Sequence, residues 1–299
     1  MKIALVHNAD AFSGKAAGSE IRRVFQRAGH DVTYLSLQQP DWQRLIAPEN
    51  ERVIIAGGDG TVQSVAPHLR GKPFSILPFG TANNIARCLC QTSNAELLAS
   101  QLDQAEIRAL DFGIFRDGNG SKPFLEAAGM GVLAELILKM QEWPNRTEME
   151  RAESRQEKFA RALEQLLALS RKCEGTAGEW KVDGTVIADR FILVAAMNLE
   201  LVGPNLRLAP DANPSDGYLD LVCVRERHRE NLSRWIEGQS AGETNAVNFE
   251  RWRCHRVETR TSNNAPVHID SNLIQNPKLP IVIELEPAAL EYLVVPGGE

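Results

Sequence analysis

Several protein classes are excluded by what this chain lacks. Cysteine is scarce and scattered, with five residues at 88, 90, 173, 223 and 254. An odd, dispersed set makes no disulfide framework. Cys88 and Cys90 form a C-x-C pair, but no second Cys/His pair at zinc spacing accompanies it. The thiols are read as reduced, which fits the cytosol. Long apolar runs are missing as well. No stretch approaches the length of a membrane span, so any membrane contact is expected to be peripheral. The run from Ile3 to Val6 is too short for a signal-peptide core, and no A-x-A site follows it, so it reads as a first strand. There is no basic excess: the net charge is −6, which argues against a nucleic-acid partner. The six histidines (7, 30, 68, 228, 255 and 268) show no ligand spacing. His7 and His268 read as core or rim residues. Neither a GK[ST] P-loop nor a G-x-G-x-x-G fingerprint is present. Internal repeats and low-complexity tracts are also absent.

What remains is a chain of 299 residues, 43 % hydrophobic and 24 % charged, enough for two modest domains with sizeable cores. The first half alternates strands and helices. KIALVH (2–7), 31–37, RVIIA (52–56) and FSILP (74–78) read as strands. Ile21, Val24, Phe25 and Ala28 give helical spacing before Gly29. A short helix is expected around 41–46. Ser93 and Glu96 form a capping-box pattern ahead of Leu97 and Leu98. Strands separated by helices imply parallel pairing. The pattern changes near residue 106. Two more strands and two helices (131–141 and 148–172) follow. After residue 178 come strands separated by turns, which predict an antiparallel sheet or sandwich. The stretch 237–247 reads as a loop.

The strongest chemical signal is GGDGT at 57–61, between an apolar strand and a helix. Glycines let the backbone approach phosphate oxygens, and N–H groups at the turn supply positive potential. Gly57, Gly58 and Gly60 fill that part, Asp59 can face a magnesium ion or its water, and Thr61 can bond a phosphate. PFGTANNIAR (78–87) repeats the logic with Gly80, Thr81, Asn83 and Asn84. Two such turns at the ends of neighbouring parallel strands share one crevice, where open α/β sheets bind ligands. A third candidate turn is NADAFSGK (8–15), whose Ser13, Gly14 and Lys15 can touch phosphates. Each of these strings also reads as an ordinary tight turn. The basic cluster Arg225, Arg227, His228 and Arg229, interrupted by Glu226 and Glu230, reads as a solvated turn, with lipid headgroup contact as the alternative. The helix at 148–172 reads as a cover packed by its leucine face.

GGDGT followed by P-x-GTAN-x-x-AR resembles the catalytic family of diacylglycerol kinases, which includes bacterial lipid kinases and the sphingosine and ceramide kinases. NAD kinases and 6-phosphofructokinases are its deeper relatives. The resemblance runs nearly end to end. Asn8 with SGK, FLEAAGMG (124–131), LRLAPDANPSDGYLDLVCV (206–224) and IDSNL…LPIVIELEPAALEYLVVP are similar to further motifs of the family, in the same order. It implies an α/β nucleotide-binding domain (1–112) with a parallel sheet, a β-sandwich lipid-substrate domain (113–279), and a segment (280–299) returning to the first domain. It implies ATP and Mg2+, with phosphates at Asn8, Ser13–Lys15, Gly57–Thr61 and the Gly80–Asn84 turn. It implies Asp270 as the base that takes the lipid hydroxyl proton. Asp216, with Asp211 assisting, resembles a structural-metal position; a plain turn aspartate is the other reading of Asp216.

The implied partner is a lipid met transiently at a membrane surface by a cytoplasmic, peripherally attached protein, with a homodimer compatible with the resemblance. Three departures stand out. The family usually carries Asp-Gly-Glu where this chain has Asp270-Ser271-Asn272. It often has Asn-Asp where this chain has Asn83-Asn84, and Asn-Glu where this chain has Gln63-Ser64. Each removes a carboxylate. A catalytically weak binding protein on the same scaffold and an NAD-kinase-like enzyme on a soluble acceptor are the alternatives.

Overall fold

In the computed structural model, which describes residues 1–9, 15–142, 154–241, 249–260 and 265–297, the apolar run after Met1 becomes strand β1 (Lys2–His7), buried from Ile3 onward. Helix α1 (Lys15–Arg27), β2 (Asp31–Ser36), β3 (Arg52–Gly57), α2 (Asp59–Val65), β4 (Phe74–Pro78), α3 (Asn84–Cys88) and α4 (Ala95–Gln101) follow. The strands lie in the order β2-β1-β3-β4, all parallel. Their near-continuous apolar runs reflect burial on both faces. On one face Ile3 and Leu5 pack with Ile21, Val24 and Phe25 of α1 and Leu98 of α4. The N-cap of α4 is Asn94, whose Oδ1 accepts Leu97 N–H at 2.9 Å. The capping pattern expected at Ser93 is thus shifted by one residue, since Asn caps as well as Ser. The expected helix at 41–46 is a 3₁₀ turn, Trp42–Leu45.

The chain then forms β5 (Glu106–Asp117), β6 (Gly120–Phe124), β7 (Ala127–Gly131), α5 (Val132–Gln141), α6 (Arg155–Lys172), β8 (Thr176–Val182), β9 (Thr185–Met197), β10 (Leu201–Val202), β11 (Leu206–Arg207), β12 (Leu219–Arg225), α7 (Arg229–Ser240), β13 (Glu250–Cys254), β14 (Arg256–Thr259), β15 (Val267–Ile269), β16 (Asn272–Ile274) and β17 (Ile281–Val294). It divides into two compact units, Met1–Asp111 with Ala288–Glu299, and Phe112–Pro287. β5 carries the chain out of the first unit. β17, a single strand where the sequence suggests two, carries it back, and Tyr292 pairs in parallel with Phe74 of β4.

The second unit is a β-sandwich. β9 is shared: its C-terminal half pairs with both β7 and β12, and its N-terminal half with β8. One layer runs β16-β15-β7-β9-β12-β13, and the other continues β9-β8-β14-β17. Phe115, Phe124, Trp180, Phe191, Val257 and Ile283 fill the space between them. Outside the first layer, α5, α6 and α7 pack their apolar faces in a separate core with Leu166, Trp235 and Ile236. α6 starts with a full capping box, Ser154 to Glu157. Its Leu163, Leu167 and Leu169 lie against that core, as a covering helix requires. α7 corrects the sequence reading, which has only a turn and a loop there. Leu232, Trp235 and Ile236 give the i, i+3, i+4 spacing that buries this helix. The remainder of the expected loop, 242–247, lies outside the described residues, as do 148–153 of the expected helix. Among the described residues no helix is long and apolar enough to cross a membrane.

Candidate functional site

The two glycine turns of the first unit are built as one piece. β3 ends at Gly57 and β4 at Pro78, paired side by side. The turns that follow touch backbone to backbone: a Cβ placed on Gly80 would lie 2.5 Å from Gly58 Cα, and one on Gly58 would lie 2.7 Å from Gly80 Cα. Only glycine fits at both positions. Asn83, in the left-handed region at φ 53°, folds its amide back on Gly80. Its Oδ1 accepts Gly80 N–H at 2.8 Å, and its Nδ2 donates to Gly80 C=O at 3.0 Å. Asparagine tolerates this backbone where most side chains do not.

Asp59 locks the second turn to the first. Its Oδ1 accepts Ile85 N–H at 3.0 Å, and the N–H groups of Asn83 and Asn84 also bear on the carboxylate. Burial pushes this carboxyl above its ordinary range, against the pull of those donors. Oδ1 of the carboxylate expected to face magnesium thus holds the opening of α3. Thr61 is buried, and its Oγ1 accepts Asn8 Nδ2 at 3.0 Å, while Asn8 Oδ1 accepts Gln38 Nε2 at 3.1 Å. Asn84 is buried too, whereas Gly60 and Thr81 are exposed. Nothing lies within 4 Å of the position a Gly60 Cβ would take. The structure thus brings Asn8, Gly57–Thr61, Gly80, Asn83 and Asn84 into one cluster at the C-terminal ends of β1, β3 and β4. Gly60 and Thr81 form its open side. Its chemistry suits a polyphosphate: bare backbone at Gly60 and the first turn of α2. Ser13 and Gly14 lie outside the described residues. Lys15 opens α1.

In the second unit, Asp270 follows β15 in the left-handed region at φ 51° and is buried. Its carboxylate sits in a nest of three successive N–H groups. Oδ1 accepts Glu126 N–H at 2.7 Å, Leu125 N–H at 3.2 Å and Ala127 N–H at 3.2 Å, and Oδ2 accepts Leu125 N–H at 3.0 Å. Asp270 N–H returns a bond to Ala127 C=O at 2.8 Å. The nest residues are absent from the sequence-based site. Nothing in the residue types of Leu125, Glu126 and Ala127 marks them, because it is their backbone N–H groups that meet the carboxylate.

His268, two residues before Asp270, is fully buried and hydrogen-bonds the Asp270 backbone. Burial holds its imidazole down to about 4. His7, buried against Tyr34 with Nδ1 2.9 Å from the phenol oxygen, is lowered by the same cause. Between the unfolded value near 6.5 and about 4 the unfolded chain binds a proton at residue 268 that the folded one refuses. Stability is therefore full above pH 6.5 and falls as pH drops toward 4, by up to about 3 kcal/mol from His268. Urea unfolding between pH 7 and 4.5 is expected to show this slope, and His268→Gln to flatten it. An unchanged slope in the variant would remove His268 as its cause.

The two aspartates of the expected metal position are each paired with an arginine. Asp216 caps its own turn, with Tyr218 N–H donating to Oδ1 at 3.0 Å, and its Oδ2 meets Arg253 at 2.8 Å. Asp211 faces Arg251 at 2.9 Å. Each carboxylate thus has a guanidinium as its partner. Among the described residues no group of three or more His, Cys, Asp or Glu side chains is placed to hold one. The bond from Tyr218 N–H makes Asp216 a turn aspartate. The basic cluster is likewise neutralised: Arg225 meets Asp189 and Glu250, Arg227 meets Asp189, and Arg229 meets Glu226. Arg225 and Arg229 are largely buried in these pairs, whereas Arg227 stays exposed.

A parallel sheet ending in paired glycine turns, followed in the chain by a β-sandwich, is a fold shared with solved diacylglycerol kinase structures. Residues 2–115 match the family described as diacylglycerol kinase catalytic domain, and 146–294 match the YegS C-terminal NAD kinase beta sandwich-like domain. The first domain therefore belongs to the diacylglycerol kinase catalytic-domain family, and the second matches the C-terminal domain model of YegS. It is 27% identical to a diacylglycerol kinase of Mycobacterium tuberculosis (strain CDC 1551 / Oshkosh), over 93% of this chain and 89% of that protein. It is 25% identical to the diacylglycerol kinase of Bacillus subtilis (strain 168), over 74% and 71%. The crystal structure of a diacylglycerol kinase from Bacillus anthracis str. Sterne superimposes with a TM-score of 0.74 at 21% identity, covering 99% of this chain and 97% of that one, and shares the fold.

Proposed function

We propose that this protein transfers the γ-phosphoryl group of ATP, with Mg2+, to a hydroxyl of diacylglycerol or a related lipid. The observation that carries this reading is the fused pair of glycine turns in a domain of this family. ATP would supply the phosphoryl donor and Mg2+ would offset its charge, an ion that keeps several waters and is held largely by substrate phosphates. The phosphates are assigned to the open side of the cluster, at Gly60 and Thr81, with the Ser13–Lys15 turn as a further contact. Asn8, Asp59, Asn83 and Asn84 hold the turns in shape behind them. Asp270 is assigned the proton of the lipid hydroxyl. As that oxygen bonds to the γ-phosphorus, the bond to ADP breaks and the proton passes to the carboxylate. Oδ1 already receives three N–H groups, so the proton is assigned to Oδ2.

A second reading, a nucleotide- or lipid-binding scaffold with weak catalysis, is favoured by one observation: Asn272 stands where the family carries a carboxylate. The test is transfer of label from γ-labelled ATP to a panel of lipids in mixed micelles with Mg2+, beside a soluble nucleotide acceptor. Label in one lipid class is the expected result. ATP binding by calorimetry with no transfer to any acceptor would support the scaffold reading. Label in the nucleotide alone would replace the lipid by a soluble substrate.

A further inference from the structure

We propose that Asn198 is a positioning residue for the Asp270 carboxylate, acting through two peptide planes; this rests on the reading of Asp270 as the base. Asn198 follows β9 and is 1% exposed. Its Nδ2 donates to Leu125 C=O at 2.9 Å. Its backbone N–H donates to Glu126 C=O at 2.8 Å, joined there by Leu199 N–H at 3.3 Å.

The peptide joining Leu125 to Glu126 carries the Leu125 carbonyl and the Glu126 N–H on opposite edges of one plane. The next peptide carries the Glu126 carbonyl and the Ala127 N–H in the same way. A trans peptide is rigid and nearly flat, so fixing its carbonyl direction fixes its N–H direction. Asn198 takes the carbonyl edge of both planes. Asp270 takes the N–H edge of both, at 2.7 and 3.2 Å. The grip on one side therefore sets the geometry on the other. Hydrogen bonds in such a chain also polarise one another, which strengthens the donors that face the carboxylate.

The residue type matters. Asparagine supplies a neutral amide donor at the Leu125 carbonyl. Leucine, of similar size, leaves that carbonyl buried and unbonded by the amide. The Leu125–Glu126 plane is then free to rock, while the next plane keeps its two backbone donors, and the shortest bond to the Asp270 carboxylate, from Glu126 N–H, loses its fixed direction. A misplacement of about 1 Å at a reacting group costs on the order of 100-fold in rate. The titratable groups around Asp270 are Glu126, within the nest, and His268, two residues before it.

The experiment compares Asn198→Leu with wild type in the full chain. The expected result is a kcat lower by roughly 10- to 100-fold, a KM for ATP within about twofold, and an acid limb of the kcat–pH profile moved to higher pH. The last follows because donors that stabilise the charged carboxylate are loosened. Amide exchange at residues 125–127 is expected to quicken. Wild-type kcat and exchange in the variant would overturn the proposal. So would a lower kcat with the acid limb unmoved, which is what a merely structural role gives. If Asn198→Leu does not fold, Asn198→Ser removes the amide without adding bulk and is read the same way. Full turnover in Asp270→Asn would instead sink the reading of Asp270 as base. Exchange at 125–127 then still decides whether Asn198 holds the nest.

Discussion

Gly80→Ala is expected to lower ATP affinity by about 100-fold and to cost about 1–3 kcal/mol of stability. The added methyl would meet Gly58 Cα at 2.5 Å and Asn83 Oδ1 at 2.7 Å. The first of these is backbone and cannot swing aside. The two turns must part, and with them the Asp59–Ile85 bond that ties them together. Gly58→Ala is expected to do the same, because its methyl enters the same gap. The double variant is then expected to lose less than the sum of the singles, as residues sharing one contact do. Gly60→Ala is the opposite case. Nothing lies within 4 Å of its added methyl, and within α2 the change is expected to stabilise by about 0.4–1 kcal/mol. It should nonetheless weaken ATP binding if phosphates approach Gly60. Calorimetric titration with ATP, beside urea unfolding of the same samples, separates the two effects. Tight ATP binding by a folded Gly80→Ala would show that the phosphates do not use this pair of turns.

That the two turns belong together is visible in the sequence. Both follow apolar runs ending at glycine or proline, and parallel neighbours with helical crossovers place their ends side by side. The division of labour within the turns is not visible. Asp59 and Asn84 stand 25 positions apart, and only the folded chain shows that the first caps the helix opened by the second. A motif aspartate beside glycines reads equally as a metal ligand or as a brace. The same limit applies to Asp211 and Asp216. A DG turn is legible, but Arg251 and Arg253, which take up these carboxylates, come from β13, where nothing local marks them as partners.

The missed helix α7 has a different cause. Leu232, Trp235 and Ile236 carry the right spacing, but the charges before them dominate the local composition. Those charges prove to be bound to Asp189, Glu226 and Glu250. Patterns that depend on one element's own burial are legible where no charge run masks them, as with α1 and the leucine face of α6. Features that depend on a partner distant in sequence were not. Asp270 is the instructive middle case. The resemblance picks out the residue, but its three N–H partners lie more than 140 positions earlier and define which oxygen can act.

Asp270→Asn is expected to lower kcat by about 10²–10⁴-fold while leaving the affinity for ATP within about threefold. Asparagine suits the test because it tolerates the left-handed backbone held at φ 51°. Its Oδ1 can still accept N–H groups of the nest. Its NH2 group, however, would stand where Oδ2 now accepts Leu125 N–H at 3.0 Å, setting donor against donor. Hydrogen bonds to a charged group contribute about 1.5–3 kcal/mol, so a loss of that order in stability is expected beside the loss of rate. The two losses are separable. Assayed well below its unfolding midpoint, the variant should be fully folded and bind ATP, yet transfer phosphate slowly at every pH. A variant whose activity returns once it is kept cold and folded would make Asp270 a structural anchor for residues 125–127. The base would then have to be sought in another carboxylate, with Glu126, buried in the same nest, as the first to substitute.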